Sequence, residues 1–146
     1  DGITDVRNFG AIARTAACTG VHAIVITQKG SVSINGEAIK TSAGALHRLP
    51  ICKVRFLDET VRYLQQNGLQ IVAADIRTKS HVSDIDWTIP TALIMGAEGG
   101  GISPKLLQTA DKVAKIPILS DFDSYNVSVA TGMILYESMQ QRKKVF

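Results

Sequence analysis

Cysteine is nearly missing from this chain. Cys18 and Cys52 are the only two among 146 residues, far apart, with no CxxC pair and no matched histidines. That points away from a zinc-binding fold and from a disulfide framework. Cys18 falls in an apolar helical pattern and reads as a small core residue. Long apolar runs are also missing. None approaches the ~20 residues that span a bilayer, and no signal peptide is visible. The expected setting is reducing and cytoplasmic, with no membrane partner.

Other absences narrow the chemistry. His22, His47 and His81 have no paired spacing, and no serine sits in a nucleophile-elbow pattern. Asp5, Asp75, Asp121 and Asp123 are scattered, so no metal site is expected. Charge of one sign is in mild excess only, with 16 Lys and Arg against 13 Asp and Glu, net +3. This permits a nucleic-acid partner without demanding one. Arg7, Arg14, Lys40, Arg48, Lys53 and Arg55 lie in the first third, so any basic face is expected there. The Arg142, Lys143, Lys144 tail reads as a solvated terminus. The chain opens at Asp1 with no Met, in a stretch that follows a strand in many α/β domains. An earlier strand and a further N-terminal piece are therefore expected outside this sequence.

What remains is a globular composition, 45% apolar and 20% charged, of a length suited to one domain over residues 1–146. Helical patterns at Asn8–Gly20, Asn35–Ala45, Leu57–Gly68, Ser103–Asp111 and Asn126–Gln141 alternate with apolar runs at His22–Thr27, Ile51–Phe56, Leu69–Asp75, Pro90–Gly96 and Lys112–Ile118. Asn8 is expected to cap the first helix and Ser103, before Pro104, the fourth. Nearly continuous apolar strands separated by helices predict an α/β fold, a mostly parallel sheet with helices on both faces.

Ligands of such sheets gather beyond the carboxyl ends of the strands. Three loops there stand out. In "MGAEGGGIS" (Met95–Ser103) the glycines let backbone approach a ligand, but Glu98 would repel a phosphate. The run matches neither dinucleotide nor P-loop spacing. In the first helix, Arg14 is either solvated or held as a guanidinium fork for phosphate or ribose oxygens. In "SDFDSYNVSVATG" (Ser120–Gly132) one helix needs one cap, yet Ser120, Ser124, Asn126 and Ser128 all compete. The surplus groups need other partners, either a ligand or the glycine loop.

Together, "DGITDVRNFGAIARTA", "ALIMGAEGGGIS" and "IPILSDFDSYNVSVATG" resemble the three ordered motifs of the SpoU (TrmH-type) RNA ribose 2′-O-methyltransferases of the SPOUT superfamily. The resemblance covers essentially the whole chain. Its wording is most similar to bacterial enzymes that methylate a guanosine of 23S rRNA, with tRNA as the alternative substrate. The resemblance implies a C-terminal deep trefoil knot, S-adenosylmethionine as cofactor, RNA as substrate and a homodimer. It implies catalytic roles for Arg14, Asn8, Glu98, Ser124 and Asn126. Cofactor contacts are implied for Ala73, Ala74, Gly96, Gly101, Ile116, Leu119, Tyr125 and Ser128. Two positions depart from the family pattern: Val6 stands where proline is common and Tyr125 where leucine is usual. The competing readings are a non-catalytic RNA-binding module on the same scaffold and an unrelated nucleotide-binding α/β enzyme.

Overall fold

The structure, a computed structural model, describes residues 1–143. Lys144 of the basic tail lies outside them. Helix α1 (Val6–Cys18) starts at Asp5, not at Asn8. The Asp5 carboxylate accepts from the amides of Arg7 (2.8 Å) and Asn8 (2.9 Å). An acid three residues upstream fills the cap, which leaves the Asn8 side chain free for other work. Gly20 follows the helix with φ +77°, the left-handed conformation expected of it.

The chain then runs through β1 (Ile24–Thr27), α2 (Gly36–Thr41), β2 (Ile51–Val54), α3 (Leu57–Gln66) and β3 (Gln70–Ala74). It continues with β4 (Thr91–Ile94), α4 (Pro104–Thr109), β5 (Lys112–Ala114) and α5 (Val127–Lys143). All strand pairs are parallel, as the apolar runs require. Among the described residues the hydrogen-bonded pairings are β1 with β2, and β3 with β4 on one side and β5 on the other. Ser103 heads α4 with no side-chain cap bond, although Pro104 does hold the first position.

Central strand β3 is covered on both sides. Ile71 and Ala73 pack with Val61 of α3, Leu106 of α4, Ile94 and Ile102. Val72 faces the other way, against Ile85, Trp87, Ala114 and Ile134 of α5. This is the period-two alternation of a strand buried on both faces. A third cluster joins Phe9 of α1 to Ile26 and Val32. Helices α1 and α2 touch closely at Gly10, where a Cβ would fall on the Thr41 side chain.

Cys18 is exposed, not buried. The buried stripe of α1 runs Phe9, Ile12, Ala13 and Ala16. A position two beyond Ala16 turns to the opposite face. Arg142 is not a solvated tail residue either. Its guanidinium donates to the carbonyls of Trp87 (2.8 Å) and Ile89 (3.0 Å), pinning the end of α5 to the segment before β4.

Candidate active site

Parallel pairing brings the ends of β1 and β2 (Thr27, Val54) to one edge and those of β3, β4 and β5 (Ala74, Ile94, Ala114) to another, and the two edges adjoin, since Thr27, Arg55 and Phe56 share the wall of one cleft with Ser103. Two of the loops that follow these strands meet the first helix. The Asn126 amide nitrogen donates to Glu98 Oε1 at 2.6 Å and to Asn8 Oδ1 at 2.9 Å. Its oxygen accepts from the Ser128 amide (3.0 Å) and hydroxyl (2.6 Å) and from the Val129 amide (3.3 Å). One side chain thus caps α5 with its acceptor and joins two distant segments with its donors. Glu98 Oε1 also accepts from the Val127 amide at 3.3 Å. Its Oε2 has no hydrogen-bond partner among the described residues.

The glycine loop is held from several sides. The Gly101 amide donates to the Ala97 carbonyl at 2.8 Å, with Gly99 and Gly101 at φ +80° and +65°. At Gly96 a Cβ would fall on the backbone of Gly101 and Ile102. Only glycine permits that approach. Asp1 ties both ends: its backbone nitrogen donates to the Met95 carbonyl (2.8 Å), and its carboxylate accepts from the Ser103 amide (2.7 Å).

A cleft of about 310 Å³ adjoins this junction, lined by Ile118, Ser120, Phe122, Ser124, Tyr125, Asn126 and Val129. Tyr125 Oη donates to the Pro117 carbonyl at 3.1 Å, closing the loop on itself. Of the residues named for cofactor contact, Tyr125 lines the cleft. Ile116 instead packs against the Val72–Trp87 core, and Leu119 is 98% exposed. Ile118 and Ser120, one residue to either side of Leu119, take the wall. Ala73 is fully buried and Ala74 partly so, at the end of β3. The Ser128 amide and hydroxyl both donate to Asn126 Oδ1. Ser124 reaches the cleft but not Glu98.

Arg14 stands apart from the junction. Six residues beyond Asn8, it lies about 9 Å along α1 and a third of a turn around it. It is exposed, with no hydrogen bond or ion pair among the described residues. Beside the edge, the Asp75 carboxylate receives the Arg77 guanidinium (2.6 Å between Oδ2 and Nη2), which holds its pKa below the ordinary range. Neither this pair nor Ile118, Phe122 and Val129 stood out in the sequence. For Phe122 and Val129 the available signal was apolar residues inside an otherwise polar loop and cap. No group of three or more metal-ligating side chains occurs among the described residues, and none of their helices is long and apolar enough to cross a membrane.

Residues 1–136 match the model of the SpoU rRNA Methylase family. The chain belongs to that family. A relative from Mycolicibacterium gilvum, described as an uncharacterized tRNA/rRNA methyltransferase, is 37% identical over 143 residues, covering 98% of this chain and 46% of the relative. The chain thus spans about half the length of the curated relatives it matches. Among solved structures, the SpoU methyltransferase AviRb of Streptomyces viridochromogenes, in complex with the cofactor AdoMet, superposes with a TM-score of 0.91 at 27% identity, over 99% of this chain and 59% of that one. A TrmH/SpoU tRNA modifying enzyme from A. aeolicus gives 0.91 at 34%, over 99% and 74%. The three sequence motifs of this chain are the first helix and the two loops that meet at Asn126.

Proposed function

We propose that this chain is the catalytic unit of an S-adenosylmethionine-dependent RNA ribose 2′-O-methyltransferase. The observation that carries the reading is Asn126, which belongs at once to the Asn8–Glu98 junction and to the wall of the 310 Å³ cleft. The cleft fits the cofactor in size and chemistry. It lies at the small end of ligand pockets, with apolar Ile118, Phe122 and Val129 beside the hydroxyls of Ser120 and Ser124. AviRb, a structure with the same fold, was solved with AdoMet bound. The residues that would hold the cofactor here are Ile118, Ser120, Ser124 and Tyr125, with backbone at Gly96. When bound, it supplies an electrophilic methyl group whose leaving group is a neutral thioether.

The chain's own task is to present a poor nucleophile. A ribose 2′-hydroxyl must be losing its proton as it attacks. Asn8 and Glu98 act as positioning residues, since both bond the Asn126 amide and fix where the α5 terminus and the cleft wall meet. Arg14 remains protonated at neutral pH. It is exposed and unpaired among the described residues, so it is free to clamp an RNA phosphate and stabilise developing negative charge on the 2′-oxygen. This account needs the guanidinium fork, so Arg14→Lys should lose most activity.

On α5, Val129, Met133 and Tyr136 are exposed at 51%, 42% and 57%. Spaced for one helical face, they support a homodimer in which a second copy covers them; light scattering tests this. The substrate is read as ribosomal RNA, in line with the family's description, and a 23S guanosine is the first target to try. Transfer RNA is the alternative, favoured by the A. aeolicus relative. The compartment is read as cytoplasmic. Calorimetry with S-adenosylmethionine, NAD and ATP, followed by tritiated-methyl transfer to ribosomal and transfer RNA, tests the function. Binding of the first ligand alone, with label entering RNA, is expected. Binding without transfer to any RNA would favour a non-catalytic RNA-binding module.

A further inference from the structure

At the same strand edge lies a second surface that the methyl-transfer reading leaves unused. Strand β2 ends at Val54 and runs straight into Arg55 and Phe56. Both are exposed, Phe56 at 48%. The Arg55 guanidinium carbon lies 5.4 Å from the centre of the Phe56 ring, inside the range of a cation–π contact. Arg55 has no carboxylate partner among the described residues. Its neighbour Lys105, by contrast, is consumed by Asp58 at 2.5 Å. A cleft of about 170 Å³ opens between them, lined also by Asp1, Thr27, Asp58, Ser103 and Leu106, with the Asp1 carboxylate held by the Ser103 amide and that of Asp58 by Lys105.

An exposed ring carrying an unneutralised guanidinium offers both a stacking plane and a positive charge. That is the combination by which unpaired RNA nucleotides are held, base on ring and phosphate on arginine. The cleft is too small for a drug-sized ligand, for which ~300 Å³ is a lower bound; with two carboxylates in its wall it suits a single base, and the phosphate falls to the exposed Arg55. Its position fits as well. Ser103 lines it, and Glu98 of the junction is five residues away on the same loop, so at most about 18 Å separates them. A few nucleotides of single strand cover that distance. Arg48 cannot share this role, because it precedes β2 while Arg55 follows it, which puts them at opposite ends of one strand.

We propose that Arg55 and Phe56 form a stacking subsite for one unpaired nucleotide of the RNA substrate, a few positions from the methylated ribose. The proposal rests on the methyltransferase reading. The test is anisotropy of a fluorescein-labelled single-stranded oligoribonucleotide over a salt series, beside methyl transfer to ribosomal RNA. Phe56→Leu is expected to weaken binding about tenfold at every salt concentration, and Phe56→Trp to restore it. Arg55→Gln is expected to flatten the slope of log affinity against log salt by about 0.7, the loss of one single-strand phosphate contact. Melting temperature and S-adenosylmethionine affinity are expected to stay at wild-type values, since both side chains are exposed. If both variants bind and methylate RNA like wild type, the subsite is refuted and the function stands. If wild type neither binds nor methylates RNA, both readings fall.

Discussion

Two loops build the candidate site, and they are held very differently. The glycine loop is tied by Asp1 at Met95 and Ser103, by its own Ala97–Gly101 bond and by Asn126 at Glu98. The segment from Pro117 to Ser124 makes one hydrogen bond among the described residues, from Tyr125 to Pro117. Its Leu119 and Phe122 stand 98% and 80% exposed. The Asn8–Glu98–Asn126 junction is fixed before any ligand arrives, and the cleft wall is left adjustable. Preorganised dipoles cost no rearrangement at the moment of reaction, whereas a wall that closes on a ligand must come from the less stable parts of a fold.

The sharpest way to break this contrast is Gly96→Ala. The new methyl meets backbone, not a flexible side chain. We expect a stability loss of about 3 kcal/mol, a melting temperature lower by about 10 °C, and no methyl transfer. Calorimetric melting checks the first two.

Asn126 comes next, because it serves both loops. Asn126→Ala removes the α5 cap and both donors of the junction, at a cost of about 2 kcal/mol. Transfer is expected to fall about a hundredfold or more. Asn126→Asp separates the two roles: the cap acceptor remains, but a carboxylate now faces Glu98. A lowered melting temperature with an intact α5 cap and lost transfer is the expected result; near-normal transfer would mean that the junction does not matter.

The adjustable wall should respond more mildly. Phe122→Ala alters an exposed ring, so stability stays within about 0.5 kcal/mol. The Kd for S-adenosylmethionine is expected to rise a few-fold, read by calorimetry. A large drop in melting temperature would show that this loop is as fixed as the other.

The smallest effect concerns Asp75 at the end of β3. Arg77 lowers its folded pKa. Its stabilising contribution is therefore complete above the ordinary carboxylate value of about 3.9 and is lost as pH falls through the lowered folded value. Asp75→Asn is expected to flatten the acid side of the stability curve while leaving neutral-pH transfer unchanged. Urea melts from neutral pH down to the acid limb check this.

How much of this was legible in the residues follows from what each signal depends on. Alternating apolar strands and helices predicted the parallel α/β architecture because burial dictates period. The cap of α1 was misplaced by three residues, since Asp5 and Asn8 both satisfy cap chemistry and only backbone geometry separates them. Convergence of Asn8, Glu98 and Asn126 came from motif resemblance, because contacts across 118 residues leave no local trace. The choice of Ile118 over Leu119 for the cleft had no sequence signal, because it turns on the direction of a loop with no repeating period.

The most direct measurement is the chemical position of the transferred methyl group. RNA labelled by this protein with tritiated-methyl S-adenosylmethionine is digested in alkali, which cuts after every nucleotide with a free 2′-hydroxyl. The account predicts label in alkali-resistant dinucleotides, because a methylated 2′-oxygen cannot attack its phosphate. Label recovered in mononucleotides would place the methyl on a base and contradict it.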